Sequence, residues 1–175
     1  MAEAPARRLR LLFVCLGNIC RSPTAEGVMA EMVKRAGLED TIEVDSAGTG
    51  AWHVGEPADE RAAASARAHG VILGGRARQV TREDFEAFDL LLAMDAANER
   101  ELLRLAPGAE RRAKVRLLRE FDPTSARSHE RDVPDHERDV PDPYYGGASG
   151  FDDVFDLVSA ACDGLLEQIR AGAVR

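Results

Sequence analysis

The stretch LRLLFVC (residues 9–15) runs without a break into CLGNICRSP (15–23), and this junction constrains the fold more than any other part of the chain. A continuous apolar run of this length is the pattern of a strand buried on both faces, as in a parallel sheet covered by helices. A helix follows at once: in SPTAEGVMAEMVKRAG (22–37), Ser22 reads as N-cap, Pro23 as the first helical residue and Gly37 as the stop. Val28, Met32 and Val33 fall on one face of it. A strand that turns sharply into a helix commits the chain to an α/β layout with a binding loop at the turn.

The remaining segments continue that alternation. TIEVDSAG (41–48), DLLLAM (89–94) and KVRLL (114–118) read as strands; 57–70, 81–88, about 95–105 and 150–170 read as helices. Thr81 is expected to cap the third of these five helices. His69 is expected to cap the end of the second, where the helix dipole favours a cation. In the terminal helix, Val154, Leu157, Val158, Ala161, Leu165 and Ile169 lie on one side. The stretch 121–150, rich in Pro, Asp and Gly, reads as loop. The expected fold is a single α/β domain: a central four-stranded parallel sheet flanked by helices on both faces, with a phosphate-binding loop after strand 1. Ligand should sit beyond the carboxyl ends of the strands.

Composition fits one ordinary domain: 175 residues, 45% hydrophobic and 31% charged. A net charge of −8 argues against a nucleic-acid partner, which requires a basic footprint. An anionic substrate must then be held by a local site rather than by a global field. No apolar run approaches the roughly 18 residues that cross a bilayer, so no membrane partner is expected. Basic residues precede Leu11–Cys15, but that apolar part is too short for a signal peptide and no small-residue cleavage site follows. Three cysteines, Cys15, Cys20 and Cys162, with no targeting segment, point to a reducing cytoplasm. Their spacing offers no zinc site. A monomer is the expected state.

The turn itself has the composition of an anion cradle with a nucleophile inside it. Gly17 and Asn18 tolerate the unusual backbone angles of a tight loop. The backbone N–H groups of such a loop, with the helix N-terminus, bind oxyanions. Cys15 opens the loop and points its sulfur at the cradle's centre. Arg21 closes it with a planar fork that matches two phosphate oxygens. The same positive surroundings favour the thiolate.

VCLGNICRSPTAE (14–26) together with DPYYGG (142–147) resembles the low-molecular-weight protein tyrosine phosphatases, and VDSAGTGAWHVG (44–55), RARQVTREDFEAFDLLLAMD (76–95) and the terminal FDDVF segment agree. The resemblance covers nearly the whole chain. It implies hydrolysis of phosphotyrosine through a cysteinyl-phosphate intermediate, with no metal or cofactor. Cys15 would be the nucleophile and Arg21 the phosphoryl clamp. The N–H groups of Leu16, Gly17, Asn18, Ile19, Cys20, Arg21 and Ser22 would bind the phosphoryl oxygens. Ser22 would donate to the thiolate, and Asn18 would shape the loop with Ser46 as partner. Trp52, His53, Tyr144 and Tyr145 would wall the cleft. Asp95 would support the loop or cap the following helix. Cys20 reads either as a redox partner that shields Cys15 through a reversible disulfide or as loop packing. Many relatives carry a histidine that orients the loop serine; Gly75 stands in that place, leaving the contact to Arg76 or to water.

Among competing readings, an arginine phosphatase tends to have threonine where this chain has Ile19, and to lack the paired tyrosines. An arsenate reductase would need cysteines in 76–92, which has none. A phosphate-binding module without turnover would follow if the acid lay out of reach. That last point turns on a duplication: HERDVPD occurs at 129–135 and again at 136–142. Only Asp142 precedes PYYGG, so Asp142 is expected to be the general acid and Asp135 its spare copy. The domain then carries a loop insertion near 129–142, with the extra heptad expected as a solvated excursion.

Overall fold

The computed structural model describes residues 6–125, 134–147 and 149–174. The expected architecture is the one observed. Strands β1 (Leu9–Cys15), β2 (Ile42–Gly48), β3 (Leu90–Ala93) and β4 (Val115–Leu117) form one parallel sheet in the order β2-β1-β3-β4. Helices α1 (Arg21–Arg35), α2 (Glu60–Ala68), α3 (Asp84–Ala87), α4 (Ala96–Leu105), α5 (Ala109–Arg112), α6 (Asp135–Arg138) and α7 (Ser149–Arg170) surround it.

β1 shows why its sequence is apolar throughout. Successive strand side chains point to opposite faces. Leu11, Phe13 and Cys15 pack with Val28 and Met29 of α1 and Val158 and Leu165 of α7. Leu12 and Val14 pack on the other side, with Phe85 of α3 and Leu102 of α4. Because β1 lies between β2 and β3, the chain departs from it to one side and later to the other. The crevice at such a switch point, beyond the carboxyl end of the strand, is where an α/β sheet binds ligand. The segment 16–20 occupies it.

Several local expectations are corrected. Ser22 is not the cap of α1: the helix begins at Arg21, Cys20 takes the cap position without a side-chain cap bond, and the Ser22 hydroxyl turns to Cys15. Thr81 does not cap α3. The roles are reversed, with Asp84 accepting from the Thr81 N–H at 2.8 Å while it pairs with Arg78 at 3.0 Å. The stretch 121–150 is not all loop, since α6 forms a turn after Pro134, whose carbonyl accepts from the Glu137 N–H at 2.9 Å. α5 lies outside the expected helices as well; neither α5 nor α6, at four residues each, is long enough to show a helical period. On α7 the buried stripe runs through Phe155, Cys162 and Leu166, and Leu157 lies off it. His69 does end α2 as expected, with Nδ1 bonded to the Ser65 carbonyl at 2.8 Å and its ring stacked on Phe155 at 4.1 Å. Gly164 lets α7 approach the 3-10 turn Leu118–Phe121: a Cβ there would lie 1.7 Å from the Phe121 carbonyl oxygen.

Candidate active site

The loop between β1 and α1 is held from outside by its carbonyls. Those of Cys15 and Leu16 accept from Thr49 N–H and Gly50 N–H, both at 2.9 Å; that of Ile19 accepts from Asp59 N–H at 2.8 Å; that of Cys20 accepts from the Thr24 hydroxyl at 2.7 Å. In a planar trans peptide the C=O and the following N–H point opposite ways. The N–H groups of Leu16, Gly17, Cys20 and Arg21 are therefore turned away from these partners, toward the inside of the curl. Asn18, at φ 58°, is the one non-glycine residue in the left-handed region among the described residues, and its N–H donates to Cys15 Sγ at 3.3 Å. Gly48 ends β2 against this curl, where a Cβ would lie 2.7 Å from the Leu16 carbonyl oxygen.

Side chains fix the loop from beneath. Asn18 Nδ2 donates to Ser22 Oγ at 2.8 Å and Ser46 Oγ at 3.0 Å, and Asn18 Oδ1 accepts from the Arg78 N–H at 3.0 Å. Ser22 Oγ, accepting from Asn18, also lies within hydrogen-bond distance of Cys15 Sγ, at 2.9 Å. Asn18 thus makes the contact with Ser22 that Gly75 cannot. Arg76 does not substitute, because its guanidinium donates to the Gly55 carbonyl at 2.8 Å. Ser46 in turn donates to Glu26 Oε2 at 3.0 Å. Burial, with Asp45 nearby, pushes the Glu26 carboxyl up to about 7.

Arg21 is 2% exposed. Its Nη1 donates to Asp95 Oδ2 at 2.5 Å and to the Val140 carbonyl at 3.1 Å, and its Nη2 lies 3.6 Å from Asp142 Oδ2. Burial works against this cation, but the Cys15 sulfur, Asp95 and Asp142 outweigh it and hold its pKa above the ordinary value. Asp95 Oδ1 also caps α4 at the Asn98 N–H, 2.7 Å away.

Asp142 comes to the same place from the far end of the chain. The segment before it is tied to the segments that follow β3 and β4: the Val140 N–H donates to the Met94 carbonyl at 2.7 Å, Asp139 Oδ1 accepts from the Ala96 N–H at 3.0 Å, and Arg119 donates to the Asp139 carbonyl at 3.0 Å. These ties belong to the second heptad copy. The first copy lies outside the described residues through position 133, and with it the expected excursion.

Cys15, Leu16, Gly17, Ile19, Cys20 and Arg21 share one cleft of about 430 Å³ with Trp52, His53, Asp142, Tyr144 and Tyr145. Tyr144 is half-buried and meets Tyr145 edge-on at 4.8 Å, whereas Trp52 and Tyr145 are 73% and 94% exposed and form the rim. His53 Nδ1 bonds Glu56 at 2.8 Å. Cys20 packs with Ile19, Ala62 and Phe151, and burial, Asp59 and Cys15 push its thiol up to about 12. Cys15, Cys20 and Cys162 are all free. Sequence reasoning missed Glu26, Asp59, Arg61, Arg78 and Asp139. Glu26 is a polar residue in the first turns of an otherwise apolar helix face, which is a signal, but the others look like ordinary surface charge.

A cysteine-and-arginine phosphate loop at the switch point of a parallel sheet, facing an aspartate on a second loop, defines a thiol-dependent class of α/β enzyme. The chain belongs to the low molecular weight phosphotyrosine protein phosphatase family, whose profile matches residues 10–174. It is 49% identical over 161 residues to the low molecular weight protein-tyrosine-phosphatase of Streptomyces coelicolor, across 92% of this chain and 93% of that protein. It is 48% identical over 157 residues to low molecular weight protein-tyrosine phosphatase A of Mycobacterium tuberculosis, across 90% and 89%. In structure it is similar to a protein tyrosine phosphatase from Entamoeba histolytica, with TM-score 0.85 and 37% identity across 95% of this chain and 99% of that one. The chain is accordingly an enzyme of the phosphoric monoester hydrolase type. Among the described residues no helix is long and apolar enough to cross a membrane.

Proposed function

We propose that the chain hydrolyses phosphotyrosine in proteins in two displacements at phosphorus. Cys15 Sγ attacks, the bond from phosphorus to the phenolic oxygen breaks, and Asp142 gives that oxygen its proton. Asp142, now a carboxylate, takes a proton from water. The resulting hydroxide attacks the cysteinyl phosphate, and the thiolate leaves with Ser22 donating to it. Arg21 and the inward N–H groups carry the charge of the three equatorial oxygens in both steps. The observation that carries this reading is the convergence of Cys15 Sγ, Arg21 and Asp142 on one cleft, with Arg21 Nη2 at 3.6 Å from Asp142 Oδ2. Tyr144 and the rim residues Trp52 and Tyr145 favour a flat aromatic group above the loop. In this reading the whole chain is one catalytic domain with an insertion near 129–142, acting as a monomer in the cytoplasm.

The test is hydrolysis of matched phosphotyrosine, phosphoarginine and phosphoserine peptides, with Cys15→Ser and Asp142→Ala as controls. Preference for phosphotyrosine, lost in both controls, is the expected result. Preference for phosphoarginine, or phosphate binding with no turnover, contradicts the reading.

A further inference from the structure

We propose that Arg61 is a positioning residue for the general acid: with Asp59 it clamps the loop that carries Asp142 to the loop that carries Cys15. The proposal rests on the assignment of Asp142 as the acid.

Asp59 stands at the junction. Its N–H holds the Ile19 carbonyl of the phosphate loop at 2.8 Å. Its carboxylate caps α2 at the Arg61 N–H, 2.8 Å away, and grips the Arg61 guanidinium at Nε (3.1 Å) and Nη2 (2.9 Å). Those bonds to Arg61 also hold the Asp59 carboxyl below its ordinary pKa, so the pair stays ionised into the acidic range. With Nε and Nη2 fixed, the plane of the guanidinium is fixed. The remaining nitrogen, Nη1, donates to the Tyr144 carbonyl at 3.2 Å, and the guanidinium carbon lies 5.4 Å from the Tyr144 ring centroid and 4.6 Å from that of Phe151. Tyr144 passes the constraint on: its N–H donates to Asp142 Oδ1 at 3.0 Å. One oxygen of the acid is thereby tied back, and the other, Oδ2, is left toward Arg21.

Such a clamp answers a need of this site. Asp142 is exposed, on a loop tied on its upstream side, at Asp139 and Val140, to the segment between β3 and α4. A carboxyl free to rotate there would seldom present its proton to the leaving oxygen, and proton transfer requires hydrogen-bond reach. The Arg61 contact secures the downstream side. Arg61 itself is exposed, so removing it opens no cavity in the core.

In kcat/KM, which reports the steps through departure of the phenol, the clamp acts through protonation of the leaving group, and that separates it from a merely structural role. The measurement is kcat/KM on phenyl phosphate, whose phenol leaves as poorly as tyrosine, and on p-nitrophenyl phosphate, whose more acidic phenol needs little protonation. The proteins are wild type, Arg61→Ala, Asp142→Ala and the double variant. Arg61→Ala is expected to lose about tenfold on phenyl phosphate, a part of the usual general-acid contribution, and no more than about twofold on p-nitrophenyl phosphate. It is expected to add no loss in the Asp142→Ala background. Equal losses on both substrates, or an undiminished loss in the double variant, overturn the clamp. Leaving-group selectivity in Asp142→Ala but not in Arg61→Ala overturns the clamp alone, whereas its absence in Asp142→Ala overturns the acid assignment and the clamp with it.

Discussion

The two loops that meet over Cys15 are built in opposite ways. In the segment 15–22 every residue but Leu16 and Gly17 is buried, and its bonding partners lie mainly on the end of β2, the segment after it and the first turn of α1. In the segment 138–145 only Val140 and Pro143 are buried. That segment is held by Arg21, Arg61, Met94, Ala96 and Arg119, from four separate parts of the chain. The phosphate loop is part of the core and must fail with it. The acid loop is laid on the surface, so its ties can be cut one at a time with graded loss of activity and little loss of fold.

Within the phosphate loop the sharpest contrast is between its two thiols. Cys15→Ser is expected to lower turnover of p-nitrophenyl phosphate by at least about 10⁴-fold, as for loss of a nucleophile. Cys20→Ser, at a buried thiol that stays protonated at neutral pH, is expected to retain turnover within about tenfold while lowering stability by about 1–2 kcal/mol through burial of a hydroxyl. Comparable losses of turnover in both variants would remove the distinction. Steady-state rates and thermal unfolding on the same preparations decide it.

In the acid loop, Asp139→Ala removes the bond to the Ala96 N–H and should lower kcat/KM about fivefold with a stability loss near 1 kcal/mol, the usual worth of one such bond. Deleting 129–135, by contrast, should leave kcat/KM within about twofold, because loop closure changes slowly with length. If the deletion were the more damaging of the two, the extra heptad would not be a passive insertion.

The smallest effect lies beneath the phosphate loop. Glu26 has an ordinary pKa of 4.5 and is pushed up to about 7. The folded protein therefore binds its proton more tightly than the unfolded chain, and this contribution to stability is complete below 4.5 and lost as pH rises through 7. Because the carboxyl is partly exposed, the loss should be only about 1 kcal/mol. Glu26→Gln still accepts from Ser46 and should flatten the decline in urea-unfolding free energy between those pH values. An unchanged slope would assign the decline to other groups.

The same contrast explains what could be read from the chain. β1 and its loop are encoded locally: an unbroken apolar run, Gly17-Asn18, and the Cys15–Arg21 spacing each state a conformation or a chemistry within a few residues. Even there the local sequence does not separate a Ser22 hydroxyl that caps a helix from one that faces a thiol. Thr81 is a similar case: the carboxylate of Asp84 takes the Thr81 N–H, and no side chain caps α3. The acid loop is encoded at long range. Arg61 and Tyr144 are 83 positions apart and Arg21 and Val140 119, so nothing near either residue announces the contact. The two heptads are identical in sequence; the PYYGG that follows marks the second copy, and the bonds of Asp139 and Val140 hold that copy against the segments after β3 and β4.

The assignment of Asp142 as the acid can be tested at the two aspartates that end the heptads. The direct measurement is kcat/KM on a phosphotyrosine peptide for Asp142→Ala beside Asp135→Ala. Asp142→Ala is expected to lose about 10²–10⁴-fold, the range for removal of a general acid, and Asp135→Ala less than about twofold. A large loss in Asp135→Ala with Asp142→Ala near wild type would contradict it.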